Sequence, residues 1–351
     1  MIDLISDTVT LPSAAMLGSI LNAPLGDAGR LDGRGRGEDP TTNALEDLAA
    51  ELMGKEAALF FPTGTLANTC AVLTHCPAGS RVLVEERQHI LVSEKICFRA
   101  DGFRMEAATY RLQEDGSLDA EAIRQILQTQ PIALVCLENT HNYSGGKCIL
   151  PDSMKAVQAL CRERGIPVHL DGARIFNAAE ALGLAPKEIA ACCDSVMFCV
   201  SKGLGAPIGS LLCGTAAWIE KARAWRRLLG GTMRQSGVAA ACGIYALQHN
   251  IPGLAEDRRH AQQLSGLLRD LKRIRVDPAP HSNILLLDLS AAGIYGKRFC
   301  AMLQERGVRG SVVSPEEVRL VFHAGITAED VPAAAKAVRE IDGLCAAGLS
   351  Q

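Results

Sequence analysis

Ile166-Pro-Val-His-Leu-Asp-Gly-Ala-Arg174 and, after a helical interval, Ser195-Val-Met-Phe-Cys-Val-Ser-Lys-Gly-Leu-Gly205 decide the fold. Each opens as a short apolar run and stops at a turn, the first at Asp171-Gly172 and the second at Lys202-Gly203. Short apolar runs alternating with helices give a parallel sheet wrapped by helices. The same alternation extends outward, with strands expected over 57–61, 80–84, 132–137, 167–170 and 195–200. Helices are expected over 42–53, 66–74, 121–128, 153–164 and 187–192, then over 216–227 and 236–248. Beyond these lie a charged helix over 255–271, strands over 282–289 and 318–322, and helices over 296–305 and 328–341. The reading is an α/β chain. It has a large domain over 1–244, with an N-terminal arm over 1–40, and a smaller C-terminal α/β domain over 245–351.

Composition agrees and excludes little more. With 351 residues, 48% hydrophobic and 21% charged, at a net charge of −3, the chain can bury a large core and carries no basic footprint for nucleic acid. Its thirteen cysteines are odd in number and form no C-x-x-C pair, so neither a disulfide framework nor a metal site is expected. Acidic residues near the start and the lack of a long apolar run predict no secretory leader and no membrane span, and hence a cytoplasmic chain. Residues 26–37 include five glycines and three arginines, a density that predicts a loop.

Lys202 lies at the carboxyl end of a parallel strand, the edge where open α/β sheets bind ligands. Partly desolvated there, a lysine forms a Schiff base; the plainer reading is a surface lysine in a glycine loop. Asp171 ends the preceding strand, where it is either a helix cap or the partner of a protonated ring nitrogen. Together they match pyridoxal phosphate, which needs a lysine at one end of the ring and a carboxylate at the other. Thr63-Gly64-Thr65, a turn into a helix N-terminus, offers N–H groups to its phosphate, or simply caps the helix. His141 follows the strand over 132–137 to the same edge, where an imidazole suits a β-hydroxyl proton or merely orders a loop. Arg319, beside an apolar run in the smaller lobe, is either a carboxylate fork or a surface arginine. His75, His249 and His260 read as ordinary surface or helix residues.

Eight blocks carry a resemblance: Ile2-Asp-Leu-Ile-Ser-Asp-Thr-Val-Thr10, Glu38-Asp-Pro-Thr-Thr-Asn-Ala-Leu-Glu46, Gly54-Lys-Glu-Ala-Ala58, Pro62-Thr-Gly-Thr65, Leu137-Glu-Asn-Thr-His-Asn142, His169-Leu-Asp-Gly-Ala-Arg-Ile-Phe-Asn177, Ser201-Lys-Gly-Leu-Gly-Ala-Pro207 and Gly231-Thr-Met-Arg-Gln-Ser-Gly237. In this order the chain resembles the low-specificity L-threonine aldolases from residue 2 to about residue 325. That family has the aspartate-aminotransferase-like fold type I and belongs with the beta-eliminating lyases. The resemblance implies pyridoxal 5′-phosphate as cofactor, carried covalently by Lys202 next to Ser201. Asp171 would then pair with the ring nitrogen, His89 stack on the ring, and Gly64 with Thr65 bind the phosphate. Ser6, Arg174 and Arg319 would hold the substrate carboxylate. His141 and His89 both remain candidates for the base, with His141 favoured. The implied reaction cleaves L-threonine, L-allo-threonine and related β-hydroxy-α-amino acids to glycine and an aldehyde. β-Elimination, aldehyde transfer or a preference for phenylserine or 3-hydroxyaspartate stay open beside it. A homodimer or homotetramer, with sites at the dimer interface, is implied by resemblance alone.

One motif departs from the family. Where Val-Tyr-Gly-Asp-Asp-Pro is usual, this chain reads Gly35-Arg-Gly-Glu-Asp-Pro40. Arg36 thus replaces a tyrosine, and either points to solvent or faces the site and shifts substrate preference toward anionic or bulkier β-substituents.

Overall fold

A computed structural model describes residues 1–33 and 35–348. Seven strands form the main sheet: β1 Ala57–Phe61, β2 Arg81–Glu85, β3 Glu106–Tyr110, β4 Ile132–Glu138, β5 Val168–Asp171, β6 Ser195–Cys199 and β7 Ser210–Gly214. Their order is β1-β7-β6-β5-β4-β2-β3, and only β7 runs against its neighbours. The other six therefore end at one edge. β6 is buried along its whole length, as expected of a strand covered by helices on both faces.

Two helices flank β1 in the chain. Helix α1, Pro40–Met53, begins with proline in its first turn and ends at Gly54, whose φ of +59° is the left-handed stop that glycine supplies. Its N-cap, Asp39, accepts from Thr42 N at 2.8 Å and also from Gly26 N and Gly237 N at 3.0 and 3.2 Å. Replacing that cap by alanine costs the helix about 1 kcal/mol, and more here because two further N–H groups lose their acceptor. Helix α2, Gly64–His75, starts directly from β1, with Thr63 Oγ1 accepting from Leu66 N at 3.2 Å.

The strands expected from sequence fall within a residue or two of the observed ones, but several elements were not expected. Helix Ile175–Leu182 fills the interval after Asp171, edge strand β3 is largely exposed, and β7 has only three apolar residues between a serine and a glycine. The loop expected over 26–37 holds no helix or strand, only a bridge between Leu31 and Gly37; Arg34 lies outside the described residues.

A second sheet uses residues from 275 onward, in the order Ser311–Ser314, Glu317–Val321, Ile284–Asp288, Arg275–Val276, all antiparallel. The N-terminus reaches this lobe: Ile2 pairs with Val308 in a separate two-stranded sheet, and Leu4 is buried in the core of the lobe. The helix Gly237–Tyr245 continues through wider and tighter turns to join Leu254–Leu267, so residue 245 falls inside a helical run. Among the described residues no helix is long and apolar enough to cross a membrane. All thirteen cysteines are free thiols, twelve of them buried.

Candidate active site

The carboxyl ends of β1, β4, β5 and β6 gather most of the expected residues. Asp171 closes β5; its Oδ1 accepts from Ala173 N at 3.1 Å and its Oδ2 from Asn68 Nδ2 at 2.9 Å. Lys202 follows β6, and among the described residues its ammonium makes no hydrogen bond or ion pair. It faces Asp7 and Cys199 electrostatically. Gly64 and Thr65 open helix α2, whose first N–H groups lack intrahelical acceptors. A Cβ at Gly64 would meet Cys199 Sγ at 3.0 Å, so glycine keeps this turn pressed against the end of β6. Lysine, carboxylate and helix N-terminus thus all stand at the same edge of the sheet.

His89 begins a short turn after β2, its side chain about one-third exposed. Its Nδ1 lies 3.0 Å from Glu94 Oε1, and its backbone N–H donates to Glu138 Oε2 at 2.7 Å. Burial disfavours the imidazolium, but the bond to Glu94 and the charges of Asp171 and Glu138 outweigh it and raise the pKa of His89. Burial likewise raises the pKa of Glu94. Polar atoms of His89, Glu94 and Asp171 lie within 4.8 Å of one another. Sequence reasoning missed Glu94.

His141 is placed differently from the favoured expectation. It is 1% exposed, with Nε2 3.0 Å from Glu85 Oε2 but too oblique for a hydrogen bond. Burial opposes its charged form, and Glu138 and Glu85 outweigh that and raise its pKa. Its charged surroundings are Glu138, Glu85 and Arg87, whereas those of His89 include Asp171.

The two arginines converge on Asn142. Arg174 Nη1 donates to Asn142 Oδ1 at 3.0 Å, and Arg319 Nη1 donates to the same oxygen. Arg174 is otherwise committed: Nε and Nη2 each donate to Asp7 at 2.7 Å. Burial alone would raise the Asp7 carboxyl; Arg174 overrides it and holds the pKa down at about 2. Arg319, from the second sheet, has no carboxylate partner among the described residues, and its Nε is buried without an acceptor. It lies over the Tyr143 ring, 5.8 Å from the centroid. Burial lowers its pKa to about 10. Ser6 caps the turn Asp7–Val9 beside this pair, accepting from Thr8 N at 3.2 Å.

Arg36 is not brought to this group. Its guanidinium contacts Asp47 Oδ1 at 2.9 Å and the Asn43 carbonyl at 3.0 Å, both on helix α1. Asn43, Glu46 and Asp47 share one helical face, and their negative side draws the arginine down onto it. Of the two readings of Arg36, its contacts within this chain fit the one in which it lies away from the site. Two other histidines lie on helices, as expected, but not as plain surface residues: His260 is buried, and His75 Nε2 lies 2.6 Å from the buried Ser195 Oγ.

Comparison with known proteins gives one family. Residues 3–291 match the beta-eliminating lyases. Low-specificity L-threonine aldolase 1 of Arabidopsis thaliana is 38% identical over 340 residues, 94% of this chain and 93% of that one. The low-specificity L-threonine aldolase of Escherichia coli K12 is 44% identical over 279 residues, 77% of this chain and 80% of that one. The solved threonine aldolase of Leishmania major superposes with a TM-score of 0.80 at 18% identity, covering 97% of this chain and all of that one, which establishes the shared fold.

Proposed function

The chain belongs to the beta-eliminating lyase family, among its low-specificity threonine aldolases, and from that premise we propose that it uses pyridoxal 5′-phosphate to cleave L-threonine, L-allo-threonine and related β-hydroxy-α-amino acids to glycine and an aldehyde. Bound at this edge, the cofactor supplies an electron sink for the charge left on Cα when the Cα–Cβ bond breaks. Lys202 offers the amine that holds it, Asp171 the carboxylate for its ring nitrogen, and Gly64 and Thr65 the N–H groups for its phosphate. Ser201 and Arg174 complete the wall.

The observation that carries this reading is Arg319, a half-buried arginine whose Nε is buried without an acceptor and which has no carboxylate of its own among the described residues. An amino-acid carboxylate satisfies it bidentately and fixes which bond at Cα stands to break. Ser6, with Asp7 and Arg174 behind it, borders the same space. The imidazole open to a β-hydroxyl is that of His89: its Nδ1 is held by Glu94, which leaves Nε2 to take the proton as the aldehyde carbonyl forms. His141, sealed between Glu85 and Glu138, supports that wall from beneath.

Residues 1–244 serve as the cofactor-binding body, and residues 245–351 bring Arg319 to it. The exposed Leu11, Leu21 and Leu228 support a second copy packing on the body, giving a dimer or tetramer in solution. The many free thiols suit a reducing cytoplasm. The test is a product assay with threonine, following glycine, acetaldehyde and cofactor absorbance. Wild type yields glycine and aldehyde in equal amounts, and Lys202→Ala loses both turnover and the absorbance of lysine-bound cofactor. Turnover by Lys202→Ala at the wild-type rate, or ammonia in place of glycine, overturns the assignment.

A further inference from the structure

Behind Asp171 runs a file of buried polar side chains that no step above uses. Asn68 and His75 stand seven residues apart on helix α2, two turns, and so share a face. On β5, His169 and Asp171 alternate onto one side of the sheet, and His169 is the register partner of Ser195 on β6. Helix and sheet press these groups together in an otherwise apolar layer, and Asn68, His169 and Ser195 are fully buried.

The contacts form an unbroken chain. Asn68 Nδ2 lies 2.9 Å from Asp171 Oδ2 and 3.0 Å from Glu94 Oε1, and Asn68 Oδ1 lies 3.1 Å from His169 Nε2. His169 Nδ1 lies 2.8 Å from Ser195 Oγ, which lies 2.6 Å from His75 Nε2. The chemistry of one amide sets the direction of every bond. Turned the other way, Asn68 would put its oxygen against two carboxylates, so its nitrogen must face them and donate one hydrogen to each. Its oxygen then accepts from His169, which must carry its hydrogen on Nε2. Burial keeps His169 neutral, with its pKa down at about 3, and keeps His75 neutral at about 4. A neutral His169 protonated on Nε2 accepts at Nδ1, so Ser195 gives its only hydroxyl hydrogen there, and His75 must donate to Ser195 from Nε2.

We propose that His75, Ser195, His169 and Asn68 form a one-way donor chain that positions the site: it locks the Asn68 amide nitrogen toward Asp171 and Glu94, aiming one carboxylate at the cofactor's ring nitrogen and the other at His89. Asn68 is the branch point, a positioning residue that serves both the edge and the face of the ring. Each bond donates toward the carboxylates, so each strengthens the next. A half-satisfied file would cost more than an apolar one, which is why a plain packing layer between helix and sheet does not account for it. The second half of the proposal, the aim at ring nitrogen and His89, rests on the function proposed above; the donor order does not.

The test uses the full chain with ¹⁵N-labelled histidine, read by NMR with and without pyridoxal phosphate. His169 and His75 are expected as Nε2–H tautomers in both states, and an Nδ1–H tautomer at His169 in the cofactor-free chain overturns the proposal whatever reaction the enzyme performs. Ser195→Ala then removes the relay hydroxyl and Ser195→Thr keeps it. The alanine variant is expected to show mixed His169 tautomers and about tenfold weaker pyridoxal phosphate binding, while threonine restores both, as the loss of one buried hydrogen bond predicts. Wild-type tautomers together with wild-type cofactor affinity in Ser195→Ala overturn it equally. If the threonine variant does not fold, the tautomers of the unaltered chain decide.

Discussion

Arg174 and Arg319 reach the same amide oxygen, that of Asn142, from opposite sides, and they arrive in opposite states. Arg174 is clasped by Asp7 through two bonds of 2.7 Å and ties the N-terminal segment to the body of the sheet. Arg319 is only half-buried, yet its Nε is sealed from water without an acceptor and no carboxylate pairs with it among the described residues. Burial works against both charges. Asp7 outweighs it at Arg174, whose pKa rises, and nothing does at Arg319, whose pKa falls to about 10. Two residues of one type, expected from sequence to share one task, are thus divided by their partners. On the function proposed above, the satisfied arginine chiefly holds structure, and the unsatisfied one has binding energy to give to a substrate.

The sharpest way to break this division is to remove each arginine in turn. Arg174→Met leaves Asp7 buried and unpaired, and should destabilise the fold by about 3–5 kcal/mol, read as a fall in the urea midpoint. Adding Asp7→Asn to Arg174→Met should recover part of that loss, because the stranded charge is gone. A single variant as stable as wild type would mean that Arg174 is not a structural residue. Arg319→Met should do the reverse: unfolding is unchanged or slightly harder, while kcat/KM for threonine drops roughly 100-fold, about 2–3 kcal/mol, mainly through KM. Loss of stability without a change in KM would erase the distinction.

The distinction was beyond the sequence for a physical reason. Apolar run length and turn residues made the strand edge legible, and with it Lys202, Asp171 and the Gly64 turn, because position along a parallel sheet follows from order in the chain. What an arginine touches does not follow from order: Asp7 and Arg174 are brought together only when the N-terminal segment crosses to the sheet. The same holds for Glu94 and Asn68, which meet across a loop and a helix. Strand β7 was missed because Ser210-Leu-Leu-Cys-Gly214 offers only three apolar residues between a serine and a glycine, and β3 because its exposed edge position tolerates polar residues. One signal was available and unread: His169 interrupts a buried strand, and a polar group there needs a partner.

The paired side of the comparison also predicts an acid limb. The Asp7 carboxyl drops from an ordinary 3.8 to about 2 in the folded chain. Between those values the unfolded chain binds a proton that the folded chain refuses, so this stabilisation is complete above about pH 4 and is lost as pH falls toward 2. Its size is about 2 kcal/mol. Urea titrations at pH 5, 4 and 3 should show the limb in wild type, and a flatter profile in the Asp7→Asn, Arg174→Met double variant. An unchanged slope in that variant would assign the limb to other carboxylates.

Arg36 extends the comparison to a third arginine, the smallest in effect. It is paired, like Arg174, but on the exposed face of helix α1, where its partner Asp47 remains largely in water. Solvent screens such a pair, so Arg36→Tyr, which restores the residue usual in the family, should change stability by only about 0–1 kcal/mol. Because its guanidinium is held by Asp47 and the Asn43 carbonyl, the variant should also keep the wild-type ranking of threonine, phenylserine and 3-hydroxyaspartate. Kinetics on those three substrates separate the cases. A reordered ranking would show that Arg36 leaves Asp47 for a substrate, here or on a neighbouring subunit, and that a partner within one chain is not enough to make an arginine satisfied.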